Sequence, residues 1–439
     1  MLTNETKSGA AENGQMKFKR FDFSENPRRF RPYLRPVANL ICAPYLKKYK
    51  PRITCLNGAE NVEGPFLLLC NHNAFMDFSV AYQLLKGKNP NFIVAIDGFI
   101  GREQLLRNIG CICKRKFTND PILVRKIKKV LDRGDVPVIY PEARYSLCGT
   151  TAVLPESLGQ MAKLFRVPVL TLICHGHHIN SPFWDTSHER GIPYDEAEFT
   201  LLFTKEELKE LPVDEINRRI VEAFQYDDFK WQKENGIVID DPKRADGLEK
   251  VLYQCPHCGK EYGMTSEGTR LKCSFCGKSW EMTALGEMKA DEGETEFSHI
   301  PDWYEWEREN VRREVEEGRY STGEMPVTVK SLPNAKKFID VGTGTMIHDM
   351  EGFRVKLDDP SKSDTTEINL KAADTYSVHI EYRYLFKNGD CVDLNTRDDT
   401  WYVYPHDCDF AVTKMALATE ELYFAEKRKK GKEVKPGLA

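Results

Sequence analysis

Two closely spaced cysteine pairs constrain the fold of this chain more than any other sequence feature. Cys255 and Cys258 form one pair and Cys273 and Cys276 form the other, each followed by glycine, with fourteen residues between the pairs. Two such turns can bring four thiolates together around one Zn²⁺ ion in a closed, structural site. The sequence therefore predicts a four-cysteine zinc ribbon over residues 241–290.

The charges around these cysteines indicate what the predicted zinc ribbon could bind, because zinc ribbons often bind nucleic acid. Basic and acidic residues alternate in this segment: Lys260, Arg270, Lys272 and Lys278 stand against Glu261, Glu267 and Glu281. Without a continuous basic patch no nucleic-acid partner is expected. A rigid spacer or a protein-docking element is the favoured interpretation.

The remaining cysteines and the first residues of the chain indicate its compartment. The chain has 13 cysteines, an odd number, and its first twenty residues lack the apolar core of a secretory signal. A disulfide framework is therefore not expected. No apolar run approaches the roughly 18–20 residues needed to span a bilayer. We expect a cytoplasmic protein that meets a membrane only peripherally, from its inner face.

The N-terminal arm, residues 1–52, combines positive charge with aromatic side chains. Between residues 16 and 52, eleven lysines and arginines stand against two acids, with aromatic and aliphatic residues interleaved. This mixture suits an anionic membrane surface, where charge attraction and shallow apolar insertion add together. The alternative interpretation is a solvated arm that packs its aromatics on the next domain.

Residues 53–240 alternate strand-like and helical patterns. The strand-like runs are Phe66–Cys70, Asn91–Ile96, Pro137–Tyr140 and Pro168–Cys174. The helical runs are Ala74–Lys86, Gly101–Asn108, Pro121–Arg133 and Ser157–Arg166. This alternation predicts an α/β domain with a mainly parallel sheet flanked by helices.

The chain changes character after the cysteines. Residues 291–325 are predicted to form a charged helical linker, and residues 326–439 a β-rich domain with a C-terminal helix. Several antiparallel strands followed by one helix is the element order of pleckstrin-homology-like domains. That comparison rests on element order alone.

A histidine and an aspartate follow the first predicted strand, in the sequence NHNAFMD of residues 71–77. This segment resembles the His-x4-Asp motif of the glycerol-3-phosphate and 1-acylglycerol-3-phosphate acyltransferase family, including the Asn before the His. With His72 in a loop and Asp77 in the first turn of a helix, the carboxylate can fold back onto the imidazole. It would fix the tautomer and leave the other ring nitrogen to accept a proton from a hydroxyl. We therefore predict that His72 and Asp77 are catalytic.

Three further segments follow in the order found in that family. They are NIGCICKR at residues 108–115, YPEARYS at 140–146 and VPVLTL at 167–172, so the resemblance covers about residues 55–180. By this resemblance the basic pair Lys114 and Arg115 could help to hold an anion.

The 140–146 segment departs from the family pattern Pro-Glu-Gly-Thr-Arg-Ser. Ala143 stands at the glycine position, and Arg144 falls one place earlier than the family's arginine, where this chain has Tyr145. In relatives that arginine and its neighbours bind the acceptor phosphate, a role that suits a guanidinium. The resemblance therefore assigns Glu142, Arg144 and Ser146 to substrate binding, while the shift leaves the acceptor open.

A cluster of potential metal ligands, CHGHH at residues 174–178, follows the last predicted strand of this domain. Histidines at a strand end can bind zinc, but no spaced partner set accompanies them. The favoured interpretation is a loop near the mouth of the active site.

The resemblance implies direct acyl transfer. His72 would deprotonate an acceptor hydroxyl, which attacks the thioester of acyl-CoA or acyl-acyl-carrier protein, with a glycerol phosphate or lysophospholipid as acceptor. The competing hypothesis is a catalytically inactive relative that binds lipid or protein as a scaffold.

Overall fold

A seven-stranded, mainly parallel sheet forms the first half of the molecule. The computed structural model describes residues 18–383, 389–407, 409–435 and 437–439. The strands of this sheet are β1 (Arg52–Leu56), β2 (Leu67–Cys70), β3 (Pro90–Ala95), β4 (Ile112–Lys114), β5 (Val136–Ile139), β6 (Val169–His175) and β7 (Glu196–Phe203). Their order is β1-β7-β6-β2-β5-β3-β4, and only the β6–β7 pair is antiparallel. All four residues of β2 are buried, as expected of a central strand covered on both faces.

Helices cover this sheet. They are α1 (Arg35–Tyr49), α2 (Asp77–Leu84), α3 (Glu103–Asn108), α4 (Pro121–Asp132), α5 (Ser157–Phe165), α6 (His177–Asn180), α7 (Glu207–Glu210), α8 (Val213–Ala223) and α9 (Asp228–Glu234). Helix α4 shows why such segments are helical: Asp120 caps its start by accepting from the backbone N–H groups of Ile122 and Leu123. Its buried residues, among them Ile127 and Val130, recur at helical spacing.

The cysteine segment forms a small antiparallel sheet. Its strands are β8 (Met264–Glu267), β9 (Arg270–Cys273), β10 (Ser279–Met282) and β11 (Met288–Ala290), in the order β11-β10-β9-β8. Helix α10 (Ile300–Glu316) follows it and buries Trp303 and Tyr304. This helix lies within the segment predicted as a charged helical linker, and one of its faces is buried.

The second large sheet is antiparallel throughout. Its strands are β12 (Met325–Ser331), β13 (Ile339–Asp349), β14 (Gly352–Leu357), β15 (Glu367–Lys371), β16 (His379–Glu381), β17 (Cys391–Asn395) and β18 (Thr400–Pro405). They are ordered β15-β14-β13-β12-β18-β17-β16. Helix α11 (Val412–Lys429) packs against α10 and β16, and most of its residues are buried.

The predicted fold class is confirmed in its main features: a mixed α/β region with a parallel-rich sheet between helices, followed by an antiparallel β-rich region. The sequence patterns did not reveal β1, β4 or β7. Within the described part of the chain, no helix is both long and apolar enough to cross a membrane.

The N-terminal arm divides its aromatic residues between two environments. Residues 1–17 lie outside the described part of the chain. Phe21 and Phe30 are buried, and the Phe21 backbone N–H donates to the carbonyl of Pro333 in the C-terminal region. Tyr33 and Leu40 are instead 69% and 74% exposed. One part of the arm, with Phe21 and Phe30, therefore packs on the rest of the protein. Another part, with Tyr33 and Leu40, is exposed to solvent.

Candidate active site

His72 lies in the loop that leaves the carboxyl end of β2, between β6 and β5. The side chain of Asn71 extends the sheet there: its carbonyl oxygen accepts from the Cys174 N–H and its amide donates to the Cys174 carbonyl, both at 2.8 Å. This pair of bonds fixes the start of the loop against β6. Ligand sites in open parallel sheets lie at this carboxyl edge.

The His72–Asp77 contact has the geometry of a catalytic dyad. His72 Nδ1 lies 3.0 Å from Asp77 Oδ2, which also accepts from the backbone N–H groups of Asn73 (2.7 Å) and Ala74 (3.1 Å). Burial disfavours the charge on Asp77, but hydrogen bonds with His177 and His72 outweigh it and lower its pKa to about 2. Because an ionised Asp77 is an acceptor only, the contact favours the tautomer of a neutral His72 with its hydrogen on Nδ1 and its lone pair on Nε2.

Two tyrosine rings flank the His72 imidazole. Tyr140 stacks on it with centroids 4.3 Å apart, and Tyr145 lies tilted at 4.4 Å. The His72 side chain remains 24% exposed. The ring is thus fixed in orientation and still reachable from solvent.

Glu142 and Ser146 hold the backbone of His72. The His72 N–H donates to Glu142 Oε1 (3.0 Å), and the His72 carbonyl accepts from the Ser146 N–H (2.9 Å). Glu142 also accepts from the Ala152 N–H (2.9 Å) and the Tyr226 hydroxyl (3.1 Å). Burial raises the pKa of Glu142 to about 8, against the opposing effect of these hydrogen bonds. The 140–146 loop therefore supports the histidine directly.

A second histidine, His177, also contacts Asp77, and the sequence patterns did not predict this contact. Its Nδ1 makes a short contact with Asp77 Oδ1, and its Nε2 lies 3.0 Å from Asp195 Oδ2, which also accepts from the Tyr45 hydroxyl at 2.7 Å. Helix α6 is buried rather than a loop at the site mouth. The only sequence signal was the position of the histidine cluster just after β6, the neighbour of β2.

Asp77, Cys174 and His177 have side chains of the kinds that bind metal ions. Ligand atoms of Asp77, Cys174 and His177 lie within 4.8 Å of one another. Both ring nitrogens of His177 already face carboxylate oxygens, however. An ion-paired imidazolium accounts for this geometry.

Arg144 points toward the C-terminal region. Its guanidinium lies 2.7 Å from Glu420 on α11 and donates to the carbonyl of Val378 (3.2 Å). Both side chains of the ion pair are at most 3% exposed. Burial disfavours the charge on Glu420, but Arg144 and Arg308 outweigh it and lower its pKa. The loop turns at Ala143 with φ +56°, a left-handed conformation that glycine adopts without strain.

The basic pair of the 108–115 segment is also engaged elsewhere. Arg115 is buried and donates to the carbonyl of Leu332 (3.0 Å) and the hydroxyl of Thr400 (2.7 Å), both in the C-terminal region. The Lys114 ammonium donates to the Thr118 carbonyl at 3.1 Å. The structure therefore brings His72, Asp77, Glu142 and Ser146 together, while Lys114, Arg115 and Arg144 contact other groups.

The four cysteines of the small sheet converge. Their sulfur atoms all lie within 4.8 Å of one another, and Sγ–Sγ distances of 3.8 Å join Cys255 to Cys276 and Cys258 to Cys273. Metal–sulfur bonds of about 2.3 Å in a tetrahedron place the sulfurs roughly 3.8 Å apart. The arrangement is compatible with one metal ion.

A family model covers the segment that contains His72 and Asp77. Residues 52–175, from the start of β1 to the end of β6, match a family model described as Acyltransferase. Among solved structures, the chain is similar to the 1-acyl-sn-glycerophosphate (LPA) acyltransferase PlsC from Thermotoga maritima. The TM-score is 0.36 and the identity 16%, over 44% of this chain and 76% of that one. No curated protein matches the chain.

Proposed function

We propose that residues 52–175, which match a family model described as Acyltransferase, form an acyltransferase domain. In this proposal the chain transfers a fatty acyl group from a thioester donor to the hydroxyl of a glycerol phosphate or lysophospholipid. The donor would be acyl-CoA or acyl-acyl-carrier protein. The observation that carries the proposal is the His72–Asp77 contact, which leaves Nε2 of a partly exposed imidazole free to accept a proton.

The proposed reaction is a direct transfer. His72 Nε2 takes the proton of the acceptor hydroxyl as the oxygen attacks the thioester carbonyl, and Asp77 stabilises the imidazolium that forms. The tetrahedral intermediate then expels the thiolate, which recovers the proton from His72, so that an ester and a free thiol result. No protein nucleophile takes part.

We propose positioning roles for the residues around the dyad. Glu142 and Ser146 hold the backbone of His72 and would act through it. To bind an acceptor phosphate, Arg144 would have to give up its ion pair with Glu420. We therefore infer that Arg144 and Arg115 serve chiefly to join the acyltransferase domain to the C-terminal region.

We also propose that Cys255, Cys258, Cys273 and Cys276 bind a structural Zn²⁺ as a zinc ribbon. The sulfur–sulfur distances fit tetrahedral zinc, and four thiolates leave no open position for a substrate. Purified protein should contain one zinc per chain, and Cys258→Ser should lower that content while Cys55→Ser, at an exposed cysteine outside the cluster, should not. Equal zinc in both variants would contradict the assignment.

We further propose the domain division predicted from the sequence, with residues 326–439 as a pleckstrin-homology-like unit. Seven antiparallel strands and a terminal helix support that assignment. Its proposed role is to dock a regulatory partner or a lipid surface.

The exposed face of the N-terminal arm is the proposed membrane contact. Tyr33, Val37, Leu40 and Ile41 are between 45% and 74% exposed and recur at helical spacing, so they lie on one face. Exposed lysines at positions 47, 48 and 50 follow them. Apolar insertion flanked by positive charge suits the inner face of an anionic membrane.

Leu40→Asp tests this surface. Placing a carboxylate there should weaken binding to phosphatidylglycerol vesicles about tenfold or more, because it removes apolar insertion and adds repulsion. Leu164→Asp is the matched control, since Leu164 is 61% exposed on α5. Vesicle co-sedimentation that falls equally in both variants, or in neither, would refute the proposed surface.

The function itself is tested by offering acceptors to the zinc-loaded, full-length protein. Long-chain acyl-CoA and acyl-acyl-carrier protein would be incubated with glycerol-3-phosphate, lysophosphatidate, other lysophospholipids and neutral alcohols, with detection of both ester and free thiol. A glycerophosphate-type acceptor should give both products in equal amounts. No ester from any acceptor would favour the scaffold hypothesis instead.

A further inference from the structure

The dyad is one end of a longer buried chain of charged groups. Asp77 contacts His72 through one carboxylate oxygen and His177 through the other, and Asp195 contacts the far side of the His177 ring. The side chains of His177, Asp77 and Asp195 are each at most 1% exposed. This chain extends inward, away from the partly exposed face of His72.

The hydrogen-bonding pattern sets the charge on His177. Each of its ring nitrogens faces a carboxylate oxygen, and a neutral imidazole would have to place a lone pair against one of them. Two N–H donors, and hence an imidazolium, satisfy both contacts. Consistently, burial disfavours the charge, but Asp195 and Asp77 outweigh it and raise the pKa of His177 to about 10.

We infer that His177 is a buried, positively charged positioning residue that shares Asp77 with His72 and thereby keeps His72 available as a base at lower pH. The inference rests on the acyl-transfer function proposed above. Asp77 divides its negative charge between two imidazoles. Asp77 therefore orients the Nδ1–H of His72, while the positive charge of His177 opposes protonation of the second His72 nitrogen.

Other titratable groups surround the His177–Asp77 contact. They are Tyr45 on α1, Cys70 on β2, Tyr140, Glu142 and Tyr145 from the 140–146 loop, Cys174 and His175 on β6, Asp195 before β7 and Asp228 on α9. Within this set, Asp77 and Asp195 are the carboxylates that contact the His177 ring. Removing the His177 charge therefore leaves Asp77 as a buried carboxylate that faces His72 without a second cationic partner.

The pH profile of acyl transfer distinguishes this role from simple packing. In His177→Asn an amide can still donate to Asp77 but carries no charge, so Asp77 would favour protonated His72 more strongly. The acid limb of kcat/KM should move to higher pH by about one unit. A uniform loss of rate with the limb unmoved would mean that His177 only supports the structure, and would overturn the inference.

Two further variants protect this test. His177→Asn with Asp195→Asn removes both charges, so Asp195 is not left as an uncompensated buried carboxylate, and the acid limb should move in the same direction. Tyr49→Phe is the control: Tyr49 lies beside Tyr45, and its hydroxyl contacts Glu189. Its acid limb should stay in place, and a displacement equal to that of the His177 variants would overturn the inference.

A measurement without substrate separates this inference from the proposed function. NMR of ¹⁵N-histidine-labelled wild-type protein, with His177 assigned by comparison with the double variant, should show both His177 nitrogens protonated at pH 8. A neutral His177 at that pH would overturn the inference even in an active enzyme. Absence of transfer from wild type would instead refute the function and leave the NMR result to decide the charge of His177.

Discussion

The loops after β2 and β5 leave adjacent strands of the same sheet, yet they use their polar residues differently. His72, in the first loop, keeps 24% of its side chain exposed and presents an unpaired ring nitrogen. Arg144, in the second, is 3% exposed and paired with Glu420. Both lie in segments that resemble acyltransferase motifs. Motif position alone therefore does not assign a residue to the substrate, because the groups that contact its side chain decide what that side chain can reach.

The two loops also differ in how far their partners lie along the chain. Asp77 is five residues from His72, whereas Glu420 is 276 residues from Arg144. The first pair is formed within one short segment of the chain. The long-range pair makes the second loop depend on the C-terminal helix.

Removing the carboxylate of the first loop should have the largest effect. Asp77→Asn would no longer hold the Nδ1–H tautomer or stabilise the imidazolium, so we expect kcat/KM to fall about 10³-fold, within the range for general-base catalysis. Zinc content and circular dichroism would verify folding. If kcat/KM of folded Asp77→Asn falls less than tenfold, the first loop does not serve the reaction as we propose.

Removing the partner of Arg144 should lower the stability of the fold more than it lowers the rate of acyl transfer. Glu420→Ala leaves the buried Arg144 without its carboxylate partner, whereas Arg308 keeps Glu305 and Glu421. Because Arg144 is then a buried charge without an ion pair, the free energy of unfolding should fall by about 3–5 kcal/mol. Denaturant titration measures it.

Glu426→Gln is the control on the same helix. Its partner Lys429 is 62% exposed, so a change below about 1 kcal/mol is expected. Equal effects of the two substitutions would show that the Arg144–Glu420 pair is not the anchor of the second loop.

The pH dependence of stability should reveal Glu142, which links the two loops. Its pKa is raised to about 8 in the folded protein, so the folded state holds a proton that the unfolded state has released. Its stabilising contribution is present below the unfolded value and is lost as pH rises toward 8. The stability of wild type relative to Glu142→Gln should therefore fall between about pH 4.5 and 8. A constant difference would contradict this.

The smallest effect concerns the turn of the second loop. Ala143 has φ +56°, so Ala143→Gly should relieve strain of about 1 kcal/mol, partly offset by the greater flexibility of glycine in the unfolded chain. We expect a net stabilisation below about 1 kcal/mol in thermal unfolding. A clear destabilisation would mean that the methyl group packs favourably and the turn is not strained.

The sequence predicted local features of this molecule well. The parallel-rich sheet and its helices follow from alternating apolar runs, and the His72–Asp77 contact joins a loop to the next helix turn. The contacts of His177 did not follow, because they depend on the order of strands in the sheet. His177 reaches Asp77 because β6 pairs with β2, and Asp195 reaches His177 because β7, which was not predicted, lies antiparallel beside β6. The partner of Arg144 depends on how α11 packs, which no local pattern encodes.

If His72 is the base for acyl transfer, its replacement by alanine should abolish ester formation. Wild type and His72→Ala would be incubated at pH 8 with isotopically labelled acyl donor and the best acceptor of the panel, with mass spectrometry of the labelled ester. We expect ester from wild type and at least 10²-fold less ester from the variant. Ester formation within tenfold of wild type by His72→Ala would contradict the role of His72 as the base.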